Sequence, residues 1–231
     1  MRTVEFCFYV SGKYDKGFIS PLIGWIGWMA NKKKLLKIKA VRDYMKKHGL
    51  KRLSISHEEI LFENRVICNG YLVLYDRLLH RQEDIKGLCF SSASRGGKIG
   101  VRFAPASEIV DKHPERWIRI PVELPDVVEQ AMFDAAKSIE GAGYDWLGII
   151  GKTTWFTDWF QSYDRWYCSE ACNWVAHKIC KIWGDRKLPI DEFYKGGFNA
   201  WNRFDNCFRK HRRWSPVANL WLMLDAGYYM K

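Results

Sequence analysis

The chain has 231 residues, 48% of them apolar and 16% aromatic, with twelve tryptophans; this excludes a disordered or fibrous protein and is enough for one large domain with a real core. The formal net charge is +11, yet ten Lys or Arg against the single Asp43 fall within residues 31–52, a surplus of nine in 22 residues. The rest of the chain is near neutral, so the basic character is a local surface that meets something anionic, not a general coat.

In chain order, "TVEFCFYV" at 3–10 predicts a strand ending at Ser11-Gly12. Residues 18–30, "FISPLIGWIGWMA", are apolar but too short to span a bilayer and carry Pro21, which fits a core or interfacial helix. In the basic stretch that follows, Leu35, Leu36, Ile38, Val41 and Tyr44 recur at helical spacing, predicting an amphipathic helix with a lysine-rich face. "LSISHEEILF" at 53–62 predicts a strand with Ile55, His57, Glu59 and Leu61 on one face and Ser56, Glu58, Ile60 and Phe62 on the other. "GYLVLYDRLLH", then "GLCFSSASRGGKIGVRFA" with its glycine-rich middle, then "ERWIRIPVEL" read as further β structure.

A helix starts at Asp126, where Asp126 and Glu129 have capping-box spacing. Val127, Val128, Ala131, Met132, Ala135, Ala136 and Ile139 form its apolar stripe and Gly141 its stop. "YDWLGIIG" predicts a short helix, and residues 168–183 a longer one with Cys172, Val175, Ile179 and Ile182 buried. After Gly184 the tail is aromatic and loop-rich, with a second basic cluster "RKHRR" at 209–213. The expected fold class is α+β: a central antiparallel sheet with helices before and after it, in one domain spanning 1–231. A basic helical segment at about 18–52 and a C-terminal extension at about 184–231 flank its centre.

The seven cysteines, Cys7, Cys68, Cys89, Cys168, Cys172, Cys180 and Cys207, are odd in number and irregular in spacing. Free thiols in a reducing compartment are expected. "MRTVEFCFYVSG" shows no leader pattern.

Cys168, in "RWYCSEAC", opens a helix. A thiol there feels the positive end of the helix dipole, which favours the thiolate, and neighbouring amides can face a developing oxyanion. His57 supplies a base, and Glu59, two residues on and on the same strand face, can accept the distal imidazole N–H. Each residue also has a plain structural reading: a core thiol, a satisfied strand histidine, a solvated carboxylate.

The ordered set "SHEEILF … CFSSASRGGKIGVRF … RWIRIPVEL … GAGYDWLGIIG … WYCSEAC" resembles the circularly permuted branch of the NlpC-type papain-like cysteine peptidases and amidases, in which the histidine strand precedes the cysteine helix. It is similar in pattern to small phage-encoded members and covers roughly residues 54–183. The resemblance implies a permuted papain-like fold with Cys168 as nucleophile, His57 as base and Glu59 as the orienting residue. It also implies Tyr144 and Ser169 near the oxyanion position, Ser91, Ser92, Arg95 and Arg102 along a substrate wall, and no cofactor. The implied reaction is acyl transfer from an amide, ester or thioester, with a peptidoglycan stem peptide as the first substrate to consider. Two departures stand out: "RGGKIGVR" is longer than the family's motif, and residues 64–88 read as an insertion.

Other readings stay open at this stage. Cys168, Cys172, His177 and Cys180 offer thiol and imidazole ligands for zinc, although zinc prefers closer cysteine pairs in loops. Residues 31–52, beside Trp25 and Trp28, fit a module that holds nucleic acid, cell-wall polymer or a membrane surface. A catalytically inactive virion component, bound to other virion proteins, is the third reading. The expected location is a host cell's reducing cytoplasm or a phage particle.

Overall fold

Alternation along the first strand decides the layering. Val4, Phe6 and Phe8 point to one side of the sheet and Glu5, Cys7 and Tyr9 to the other, and residues 4–8 are buried on both sides. The computed structural model describes residues 1–12, 19–68, 71–74, 87–93, 99–145, 165–186, 215–225 and 227–230.

In chain order the elements are β1 (Arg2–Val10), α1 (Ile19–Leu35), α2 (Lys39–Lys47), β2 (Ile55–Phe62), β3 (Arg65–Cys68), β4 (Tyr71–Leu74), β5 (Leu88–Ala93), β6 (Gly100–Pro105), β7 (Trp117–Leu124), α3 (Asp126–Lys137), β8 (Gly143–Tyr144), β9 (Arg165–Trp166), α4 (Cys168–Arg186) and α5 (Pro216–Asp225). Five of the strands make one antiparallel sheet in the order β6-β5-β2-β1-β7. The fold is thus mixed α+β with five helices among the described residues. The strand that comes first in the chain lies inside the sheet, between β2 and β7.

One sheet face carries Val4, Phe6, Phe8, Ile60, Phe62, Phe90, Phe103, Ile118 and Ile120 and packs under the helices as the main core. Phe133 of α3 anchors it, its ring 5.4 Å from that of Phe62 and 5.2 Å from that of Phe103. Burying each such side chain stabilises the fold by roughly 1.5–3 kcal/mol. The opposite face is smaller: Cys7, Leu61, Cys89 and Trp117 lie under Ala106 and Val110 of the β6–β7 connection.

Several expectations change. The basic stretch is two helices: Lys32–Lys34 end α1, the chain turns at Ile38, and α2 starts at Lys39. Leu35 and Val41 are both fully buried, yet six residues apart they would point about 120° apart around one straight helix, so the break lets both reach the core. The capping box at Asp126 does not form. Pro125 is the N-cap with no side-chain cap bond; Asp126 pairs with the N-terminal amine at 3.0 Å, and Glu129 takes Arg2 and Arg65. On α3, Val127 is exposed and Phe133 is buried instead. The tail beyond 184 is more than an appendage: Val217, Leu220, Met223 and Leu224 of α5 belong to the main core. Asn219 Nδ2 of α5 donates to Glu58 Oε2 of β2 and Asn173 Oδ1 of α4, both at 2.7 Å. "YDWLGIIG" beyond Asp145 and the 209–213 cluster lie outside the described residues.

Arg65 grips Glu129 through two bonds of 2.9 and 2.8 Å, and both side chains are buried. Removing one partner strands the other's charge in the interior. Glu129→Ala should lower unfolding free energy by about 3–5 kcal/mol in chemical denaturation, while Asp126→Ala, at an exposed site, leaves the midpoint nearly unchanged.

Candidate active site

Strand β2 sets out two of the site's side chains by its period of two. His57 lies opposite Tyr9 and Glu59 opposite Cys7 of β1, so both project from the smaller face of the sheet. His57 Nε2 donates to Glu59 Oε1 at 2.8 Å, which leaves Nδ1 for another partner. The same Glu59 oxygen accepts a bond from Arg102 Nη2 at 3.2 Å. Glu59 is fully buried and Arg102 nearly so. Trp117 stands edge-on to His57 with ring centroids 6.2 Å apart, and Tyr9 lies against the same indole at 5.3 Å.

Helix α4 must bring its first residue to this face from the helix side. The β2–β5 register runs from Phe62↔Leu88 to Ile60↔Phe90 and stops. Past that point the Glu58 carbonyl accepts Ser91 Oγ at 2.6 Å and Cys172 Sγ at 3.6 Å. The strands part there, and the start of α4 fills the opening. Its approach is fastened by short bonds: Ser92 Oγ donates to the Trp166 carbonyl at 2.5 Å, and β9 runs parallel to β8 with Tyr144 opposite Trp166. Residues 141–142 are stitched to Val101 of β6 on both sides. Gly100, at φ +114°, passes so close that a Cβ would sit 2.2 Å from the Ala142 carbonyl oxygen, so only glycine fits.

The result brings Cys168 and His57 into hydrogen-bonding contact. Burial by itself would push the imidazolium down. The charge of Cys168 and the hydrogen bond with it, followed by Glu59's bond and charge, outweigh that and raise His57 from 6.5 to about 10. Burial pushes Glu59 up, but the Arg102 charge and the His57 bond prevail and hold it below its usual value. Tyr167 caps α4, its carbonyl accepting from Ala171 N at 3.0 Å. The amides of Cys168, Ser169 and Glu170 therefore occupy the first turn, where a helix has no internal acceptor for them.

The other cysteines described nearby differ. Burial, then neighbouring carboxylates or thiols, drives Cys7, Cys89 and Cys172 well above the ordinary thiol value. On the same sheet face as His57, Arg119 bonds Glu5 and, at 2.8 Å, Asp111, so this face is charged and ordered around a small apolar patch.

Of the residues singled out in the sequence, the structure gathers His57, Glu59 and Cys168, with Tyr144 on the strand beside the cysteine's approach. Ser91 and Ser92 do not form a substrate wall: both are fully buried, and their hydroxyls brace backbone carbonyls. Ser169 is buried, and its hydroxyl has no hydrogen-bond partner among the described residues. Arg95 lies outside the described residues. Arg102, assigned to that same wall, instead holds Glu59; its alternation with Val101 and Phe103 on β6 was the available signal. Cys172 turns to the Glu58 carbonyl, and no cluster of three or more His, Cys, Asp or Glu among the described residues could hold a metal ion. No described helix is long and apolar enough to cross a membrane.

No protein-family model, curated protein or solved structure matches the chain.

Followed by NMR, the His57 ring should titrate far above an ordinary histidine, and its midpoint should fall in Cys168→Ala, where burial is no longer opposed by the sulfur. His57's contribution to stability is fully present below 6.5 and lost as pH rises through about 10, whereas Glu59's is present above the ordinary carboxyl range and lost as pH falls. A midpoint unmoved by Cys168→Ala would contradict the pairing.

Proposed function

We propose that the protein is a cysteine-dependent hydrolase or acyltransferase, acting on an amide, ester or thioester through Cys168, His57 and Glu59, and that it is a circularly permuted NlpC-type papain-like enzyme. The observation that carries this reading is the contact between the helix-initial Cys168 and a histidine whose other nitrogen is fixed by a buried carboxylate. Chain order, strand histidine before helix cysteine, supports the permuted assignment.

The chemistry follows from the geometry. With His57 held as imidazolium at neutral pH, its partner sulfur is favoured as thiolate. The thiolate attacks the carbonyl carbon, forming an S–C bond, and the oxyanion meets the first-turn amides of α4. As the carbonyl reforms, the bond to the leaving nitrogen, oxygen or sulfur breaks, and His57 gives its proton to that group. His57 then takes a proton from water or an acceptor amine as this attacks the thioester, releasing acid or new amide and restoring the thiolate. Proton transfer of this kind contributes about 10²–10⁴-fold to rate, and one oxyanion donor roughly 10²–10³-fold. Arg102 acts through Glu59, keeping it ionised and in place, and is a positioning residue. A peptidoglycan stem peptide is the first substrate to test.

Alkylation across pH with mass-spectrometric mapping tests the reading. Cys168 should react well below the ordinary thiol value of about 8.5, with Cys7, Cys89 and Cys172 far slower. His57→Ala should remove the advantage, and Cys168→Ala should abolish turnover. Slow, uniform labelling of every thiol would sink the enzyme.

A further inference from the structure

The first half of α1, "ISPLIGWIGWMA", is apolar on all sides, although only one side can face the core. Gly24 and Gly27 let the helix press against Ser54 and Val217, and Trp28 and Leu35 are buried. What remains outside is therefore also apolar: Trp25 is 42% exposed, Met29 45% and Leu36 42%. These three share one stripe of the helix with Lys33, since Leu36 N still bonds back to the Lys32 carbonyl at 2.9 Å.

Around this stripe lies the densest charge in the molecule. Lys33, Lys34, Lys37, Lys39, Arg42, Lys46 and Lys47 are all exposed. No ion pair among the described residues involves any basic residue of 31–52. Lys34 caps the Trp221 ring at 4.2 Å and Arg42 bonds the Leu36 carbonyl, which fixes the geometry but pairs neither charge with an acid among the described residues.

We infer that α1 and α2 form a docking surface for an anionic phospholipid bilayer, Trp25, Met29 and Leu36 entering the interface while the lysines meet the headgroups. Charge complementarity requires an anionic partner, and the exposed tryptophan and methionine select a bilayer over a nucleic acid, because phosphate contacts alone need no apolar wedge on a helix face. The inference is independent of the chemistry at Cys168, and Cys168→Ala should bind as the parent does.

Sedimentation of the full chain with vesicles tests it. Vesicles of phosphatidylcholine with phosphatidylserine should carry the protein down, phosphatidylcholine alone should not, and added salt should release it. The exposed triple change Lys33→Gln, Lys37→Gln, Lys39→Gln should weaken binding about a hundredfold. Trp25→Ser with Met29→Ser should weaken it roughly tenfold, with circular dichroism showing each variant folded. Two results would overturn the inference: no sedimentation with the anionic vesicles, or vesicle binding unaffected by the loss of Trp25 and Met29. Tighter, salt-sensitive binding to a DNA duplex that ignores those two residues would assign the surface to nucleic acid instead.

Discussion

Strand β2 serves two faces, and the rest of the structure is arranged around that constraint. Its even-numbered residues, Ser56, Glu58, Ile60 and Phe62, look toward the helices, while His57 and Glu59 look away. A thiol carried by a helix can meet His57 only where the sheet lets it through. The end of the β2–β5 register at Ile60↔Phe90 is that place, and the Glu58 carbonyl, abandoned by the ladder, is taken up by Ser91 and Cys172. One backbone oxygen thus joins the sheet's edge of pairing to the helix that Cys168 opens. An unsatisfied carbonyl in this buried setting would be costly, so the parting and the helix contact support one another.

The electrostatics follow the same economy of parts. Glu59 is fully buried and stays ionised because Arg102 and His57 converge on one of its oxygens. His57 in turn is protonated despite burial because sulfur and carboxylate flank it. Charge therefore alternates from guanidinium to carboxylate to imidazolium, and the Cys168 sulfur lies next in line. Each group makes sense only beside the next, so the site behaves as a unit rather than as three separable residues. The remaining described buried cysteines lack such a cationic neighbour at hydrogen-bonding distance or are outweighed by burial, which separates one sulfur from the rest by environment alone.

Much of this was legible in the residues. The period of two in "SHEEILF" put His57 and Glu59 on one side, and the helix start at Cys168 is where its pattern placed it. What escaped were effects of distant contact. Asp126 and Glu129 have the spacing of a cap, yet the N-terminal amine, Arg2 and Arg65 compete for them more strongly. Serines 91 and 92 look like surface chemistry in a motif, but they are hydrogen-bond donors to a sheet opening that no local pattern announces. The α5 helix is hidden in a tail of loop-like composition, and its core side chains with the Asn219 bridge between Glu58 and Asn173 show how it belongs.

The central claim is that the paired imidazole holds a single sulfur ionised at neutral pH, and thiolate ultraviolet absorbance reads this directly. Titrated from acid, the folded protein should show one thiolate's worth of absorbance already present near neutrality, absent from Cys168→Ala and from His57→Ala. Absorbance that rises only in the alkaline range, and identically in all three proteins, would contradict the account.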